Sequence, residues 1–90
     1  MLKLKTTNRF EKDYRKAHKS GREMLRIKRT MSWIANEQPL PPELRNHKLI
    51  GNYQGRRECH LASDWLLIYK IERGTVIFER TGSHSELLKK

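Results

Sequence analysis

Ninety residues suffice for one domain around one small core, and 33% of them are charged. Twenty Lys and Arg against ten Asp and Glu give a net charge of +10, with eleven basic against three acidic residues in the first thirty. The single cysteine, Cys59, excludes an internal disulfide, no CxxC pair suits a structural zinc, and no apolar run reaches the length of a membrane span or a signal-peptide core.

The chain opens with "MLKLKT", where Leu2 and Leu4 alternate with Lys3 and Lys5 as in a short half-buried strand. Thr6, Thr7 and Asn8 then offer N-caps to a first helix, whose apolar stripe is Phe10, Tyr14 and Ala17 and whose end is Ser20-Gly21. In a second helix Met24, Ile27, Met31 and Ile34 recur at steps of three and four, flanked by Leu25 and Ala35. The two form a helical hairpin studded with Lys and Arg. Pro39, Pro41 and Pro42 forbid its continuation and mark a semi-rigid loop.

Strand patterns follow. "HKLI", residues 47–50, reads as a short edge piece before the turn "GNYQG". "RRECHLA" sets Arg57, Cys59 and Leu61 against Arg56, Glu58 and His60. "WLLIYKI" is nearly all apolar, as a strand covered on both faces is. "TVIFERT" opposes Val76 and Phe78 to Ile77 and Glu79. Ser63-Asp64 and Arg73-Gly74 are links short enough for hairpins, and "SHSELLKK" fits one terminal helical turn. The expectation is a single α+β domain over residues 1–90. A small antiparallel sheet carries an N-terminal strand, with the helical hairpin packed on one face. The other face, or its rim, is left for function.

The cationic N-terminal third attracts phosphate backbones, or an acidic protein partner, and Lys12, Arg15, Lys16, Lys19, Arg22, Arg26 and Arg29 are its candidate contacts. Of the four histidines, His18 reads as a solvated helix residue. His47, His60 and His84 fall at element ends, where neighbouring antiparallel strands bring residues together, and Asp64 joins them from the turn. Imidazoles that titrate near neutrality suit RNA cleavage. The ribose 2′-OH is the nucleophile, so the protein has to take one proton and give another. Arg80 is a candidate to hold the phosphate oxygens, and Trp65 or Tyr69 to stack an unpaired base, although Trp65 equally suits the core. Three histidines and a carboxylate are also acceptable zinc ligands, but without an HExxH motif the expectation is no metal and no cofactor. A non-catalytic RNA-binding module is the rival reading.

The run "LPPELRNHKLIGNYQGRRECHLASDWLLIYKI", continuing into "FERTGSHSELL", resembles the YafQ branch of the RelE superfamily of bacterial toxins. These are ribosome-dependent mRNA endonucleases of type II toxin–antitoxin systems. The resemblance implies a microbial-ribonuclease-like fold and metal-independent cleavage of mRNA in the ribosomal A site, leaving a 2′,3′-cyclic phosphate and a 5′-hydroxyl. It also implies a cognate antitoxin, a cytoplasmic location away from membranes, and operator DNA reached only through the antitoxin. His47, His60, Asp64 and His84 match the catalytic positions and Trp65 completes the "DW" pair. Leu88 stands where relatives often carry an aromatic residue that seats the RNA base. On this reading His84 is the general acid, Asp64 or His60 the base, His47 a positioning group and Arg80 a phosphate contact, while the basic hairpin faces ribosomal RNA. Gyrase-poisoning relatives share the fold, but that task does not call for the His/Asp set.

Overall fold

The computed structural model describes residues 1–49 and 55–88. The end of the "HKLI" segment, most of the "GNYQG" turn and the last two lysines lie outside the described residues. Strand β1 (Lys3–Thr6) leads into α1 (Asn8–Lys19) and α2 (Met24–Ala35). A 3-10 turn (Pro42–Leu44) then precedes β2 (His47–Lys48), β3 (Arg57–Ala62), β4 (Trp65–Glu72), β5 (Thr75–Gly82) and α3 (His84–Leu87).

The strands form one five-stranded sheet in the order β1-β5-β4-β3-β2. β2 to β5 are the antiparallel meander that the alternating patterns require. β1 instead pairs parallel with β5, Lys3 opposite Thr75 and Thr6 opposite Phe78, so the sheet is mixed. A parallel partner needs a long crossover, and the intervening helices and strands supply it. Thr7 fixes the junction: its Oγ1 accepts from the Phe10 N–H at 3.0 Å and lies 2.9 Å from the Glu79 carbonyl, to which it donates. The α1–α2 turn needs a left-handed residue, which Gly21 provides at φ +83°.

Both helices cover one face of the sheet. Phe10, Ala17, Ile27, Ile34 and Ala35 pack there against Cys59, Leu61, Trp65, Leu67, Tyr69, Val76 and Phe78. The β1 alternation is only half realised, since Leu2 joins this core while Leu4 is 49% exposed at the sheet's edge. Inside the core the Trp65 indole N–H donates to Thr81 Oγ1 at 2.9 Å, and that hydroxyl donates to the Leu66 carbonyl at 2.7 Å. On the opposite face, among the described residues, Leu66 and Ile68 pack with Leu87 of α3 and with Leu49. A short helix cannot roof a whole sheet, and that face also carries Glu58 and His60.

Candidate active site

The β2–β3 register sets His47 directly across from Glu58. Residues two apart on a strand share a face, so His60 lies beside Glu58. Their β4 partners are Leu66 for His60 and Ile68 for Glu58. Glu58 Oε2 lies 3.1 Å from His47 Nε2 and 3.2 Å from His60 Nε2, so one carboxylate oxygen joins two imidazoles. Glu58 is buried, 4% exposed. Sequence reasoning passed it over, although its place in the alternating set with His60 was the signal; what was missing was the register that brings His47 across.

The third histidine arrives from β5. Ser83 caps α3 through a capping box: its Oγ accepts from the Glu86 N–H, and Glu86 Oε1 accepts from the Ser83 N–H at 2.9 Å. The first residue of that helix, His84, then donates its backbone N–H to Asp64 Oδ1 at 2.9 Å, and its Nδ1 lies 2.8 Å from the same oxygen. With Nδ1 so engaged, Nε2 is the nitrogen left for exchange with a substrate, on a side chain 48% exposed. The His47 and His60 rings lie 5.9 Å apart and the His60 and His84 rings 5.8 Å apart, centre to centre, so the three form a row.

The electrostatics separate the two ends of this row. Hydrogen bonds from the His84 backbone and then its side chain hold the Asp64 carboxyl below its ordinary value. Asp64 is thereby a poor proton acceptor and a good anchor. Burial pushes the His60 imidazole down, and the Arg45 charge adds to this, while Glu58 opposes it. Both shifts leave His60 a neutral ring able to accept a proton. Next to it Cys59 is a buried thiol, pushed up to about 12 by burial and by Glu58, and chemically idle.

Other candidates lie differently. Arg80 is turned onto Asp13, with Nε 2.7 Å from Oδ2 and both side chains 16% exposed, so in this state it serves the α1–β5 junction. Trp65 and Tyr69 are 1% and 2% exposed, which leaves neither ring face open to a base, and the Tyr69 hydroxyl donates to Asn46 Oδ1. Leu88 follows α3, partly exposed. In the basic hairpin Lys12, Arg15, Lys19 and Arg29 are exposed, as is His18. Lys16 pairs with Glu86, Arg26 donates to the Leu61 carbonyl, and Arg22 lies over the Trp65 ring.

A row of imidazoles with a carboxylate anchoring each end can take up and release protons along a strand of RNA. His47, Glu58 and His60 also present three ligand-type atoms within 4.8 Å of one another. Among the described residues, two buried atoms of that group, Glu58 Oε1 and His60 Nδ1, have no hydrogen-bond partner. No helix among the described residues is long and apolar enough to cross a membrane.

The family described as "Bacterial toxin of type II toxin-antitoxin system, YafQ" matches residues 2–89. The chain is 35% identical over 85 residues to the mRNA interferase toxin YafQ of Escherichia coli K12, spanning 93% of this chain and 92% of that one. Its fold matches a metal-bound toxin from Helicobacter pylori with a TM-score of 0.90 and 39% identity, covering 97% of this chain and 99% of the other. The YafQ fold in the E. coli DinJ–YafQ complex gives 0.88 at 35% identity, covering 97% and 98%.

Proposed function

Because this chain belongs to the YafQ family of bacterial type II toxins and is an mRNA interferase, we propose that it cuts messenger RNA on the ribosome through the histidine row. The 2′-OH attacks the adjacent phosphorus, the P–O5′ bond breaks, and the products are a 2′,3′-cyclic phosphate and a 5′-hydroxyl. His60, neutral and beside Glu58, takes the 2′-OH proton, and Glu58 with His47 orients it. His84 gives a proton to the leaving 5′ oxygen, held for that task by Asp64. Asp64 is thus a positioning residue rather than the base. No step needs a metal.

The observation that carries this reading is the row itself: residues 47, 60 and 84 meet with consecutive ring centres under 6 Å apart. Mapping 5′ ends of messages after expression tests it. Cuts in register with the reading frame are expected from the wild type and none from His84→Ala or His60→Ala, each checked to be folded. Undiminished cutting by both variants overturns the assignment. A non-catalytic RNA-binding role would give ribosome association without new 5′ ends.

The relative in complex with DinJ supports a cognate antitoxin for this toxin, of which the cationic hairpin is a suitable target. The exposed lysines and arginines of α1 and α2 are proposed to meet ribosomal RNA phosphate, and operator DNA is reached only through the antitoxin. A cytoplasmic site of action follows from a ribosomal target.

The metal-bound relative favours a second property of the same cluster. His47, Glu58 and His60 fit a divalent copper- or zinc-type ion, two imidazoles and a carboxylate being suitable ligands. Such an ion acts as a Lewis acid. Here it would occupy the lone pairs that proton transfer requires, so it is expected to inhibit.

A further inference from the structure

Between α1, the end of β5 and α3 lies a cleft of about 610 Å³, lined by Asp13, Lys16, Arg22, Arg80, Gly82 and Ser85 among others. It reaches Ser85, the neighbour of His84, and so borders the proposed acid. Three cations line it. Lys16 is neutralised by Glu86 and Arg80 by Asp13. Arg22 makes no salt bridge with any carboxylate among the described residues. Its guanidinium instead lies over the Trp65 indole, 5.2 Å from the ring centre, and its charge is felt at Asp64.

We propose that Arg22, seated on Trp65 beside the Asp64–His84 pair, is a substrate-binding residue that grips a phosphate of the RNA strand being cut. Three features combine. The aromatic face attracts the guanidinium without consuming its donors, so its fork stays available for two phosphate oxygens. The backbone N–H of Arg22 donates to the Ala17 carbonyl at 3.1 Å, fixing the start of the side chain within the α1–α2 turn. The position is next to the catalytic row rather than out among the exposed lysines of α1. Trp65 on this account is the support for a cation, which explains an aromatic residue with only 1% of its surface exposed in a place where base stacking is impossible. A planar cation on a ring is a task for arginine that lysine performs poorly.

The inference rests on the nuclease reading and is tested so that the two fail separately. Cleavage of a ribosome-bound message is followed against salt for the wild type, Arg22→Ala, Arg22→Lys and, as a remote charge control, Lys3→Ala on β1. Arg22→Ala is expected to raise KM roughly tenfold with a smaller change in kcat, and to flatten the log–log salt slope by about one. Arg22→Lys should restore the slope but only part of KM, and Lys3→Ala should leave both near wild type. A wild-type KM and slope in Arg22→Ala, or an equal loss in Lys3→Ala, overturns the role of Arg22 while leaving the nuclease intact. If the wild type does not cut, the nuclease reading falls, and the same salt titration on ribosome binding decides Arg22 by the same two outcomes.

Discussion

His84 places two nitrogens on a single oxygen of Asp64, its backbone N at 2.9 Å and its ring Nδ1 at 2.8 Å. One contact fixes where the helix begins and the other fixes how the ring is turned. Asp64→Asn keeps a carbonyl oxygen that can accept from both donors but removes the negative charge beside the ring. Cleavage should fall on the order of a hundredfold while thermal stability hardly moves. Single-turnover assays at saturating ribosome check this; an unaltered rate would show that Asp64 does not orient the acid.

Glu58 is a buried acid of the site, hydrogen-bonded to His47 Nε2 at 3.1 Å and lying 3.2 Å from His60 Nε2. In Glu58→Gln the amide must turn an N–H toward one of them or leave a nitrogen unsatisfied. Activity should drop by roughly a hundredfold or more, with circular dichroism unchanged. A fully active variant would remove Glu58 from the proton path.

The helical spacing of α1 and α2 and the alternation in β3 and β5 were legible because each element's period is set by its own residues. The convergence of His47, His60 and His84 followed from strands ending near one another. Glu58 was written into the same alternating set as His60, yet its role depends on His47 standing opposite, a non-local fact. Arg80 carried the right charge, but Asp13 sits 67 residues earlier, and no local pattern announces that pair. Trp65 was left undecided between core and substrate; its bond to Thr81 decides for the core, and the open question becomes what its ring supports. The parallel partner of β1 was hidden for the same reason, because pairing direction belongs to the whole sheet.

Helix α3 should respond to acid. Hydrogen bonds from Lys16 and Ser83 hold the Glu86 carboxyl at about 2, below its ordinary 4.5. A depressed carboxylate stabilises the fold fully above its unfolded value and loses that contribution as pH falls toward the folded one. Asp64 is shifted the same way. Amide shifts of Leu87 and Leu88 should therefore report loosening of α3 between about pH 4.5 and 2, and Glu86→Gln should flatten that transition. A transition that survives the substitution would assign it elsewhere.

Within the core, Thr81→Val leaves the Trp65 indole N–H without its acceptor. Burying an unsatisfied donor costs about 1–3 kcal/mol, which denaturant titration resolves. A loss below this range would mean that another acceptor or water replaces the hydroxyl.

The cluster of His47, Glu58 and His60 predicts opposite responses to removing and adding metal. Treatment with EDTA should leave cleavage intact. Copper(II) should suppress it and yield a nitrogen-coordinated paramagnetic spectrum, lost in His47→Ala. Activation by copper, or loss of activity in EDTA, would invert the proposed relation between ion and reaction.

Thr7 bonds to Glu79 across 72 residues of chain, and β1 lies parallel to β5 beside them. Strand pairing of that span cannot close until β5 has been synthesised, and loop closure over such a distance is slow to nucleate. A chain still being synthesised therefore lacks the β1–β5 pairing, and with it the completed sheet that leads into His84, until β5 has emerged.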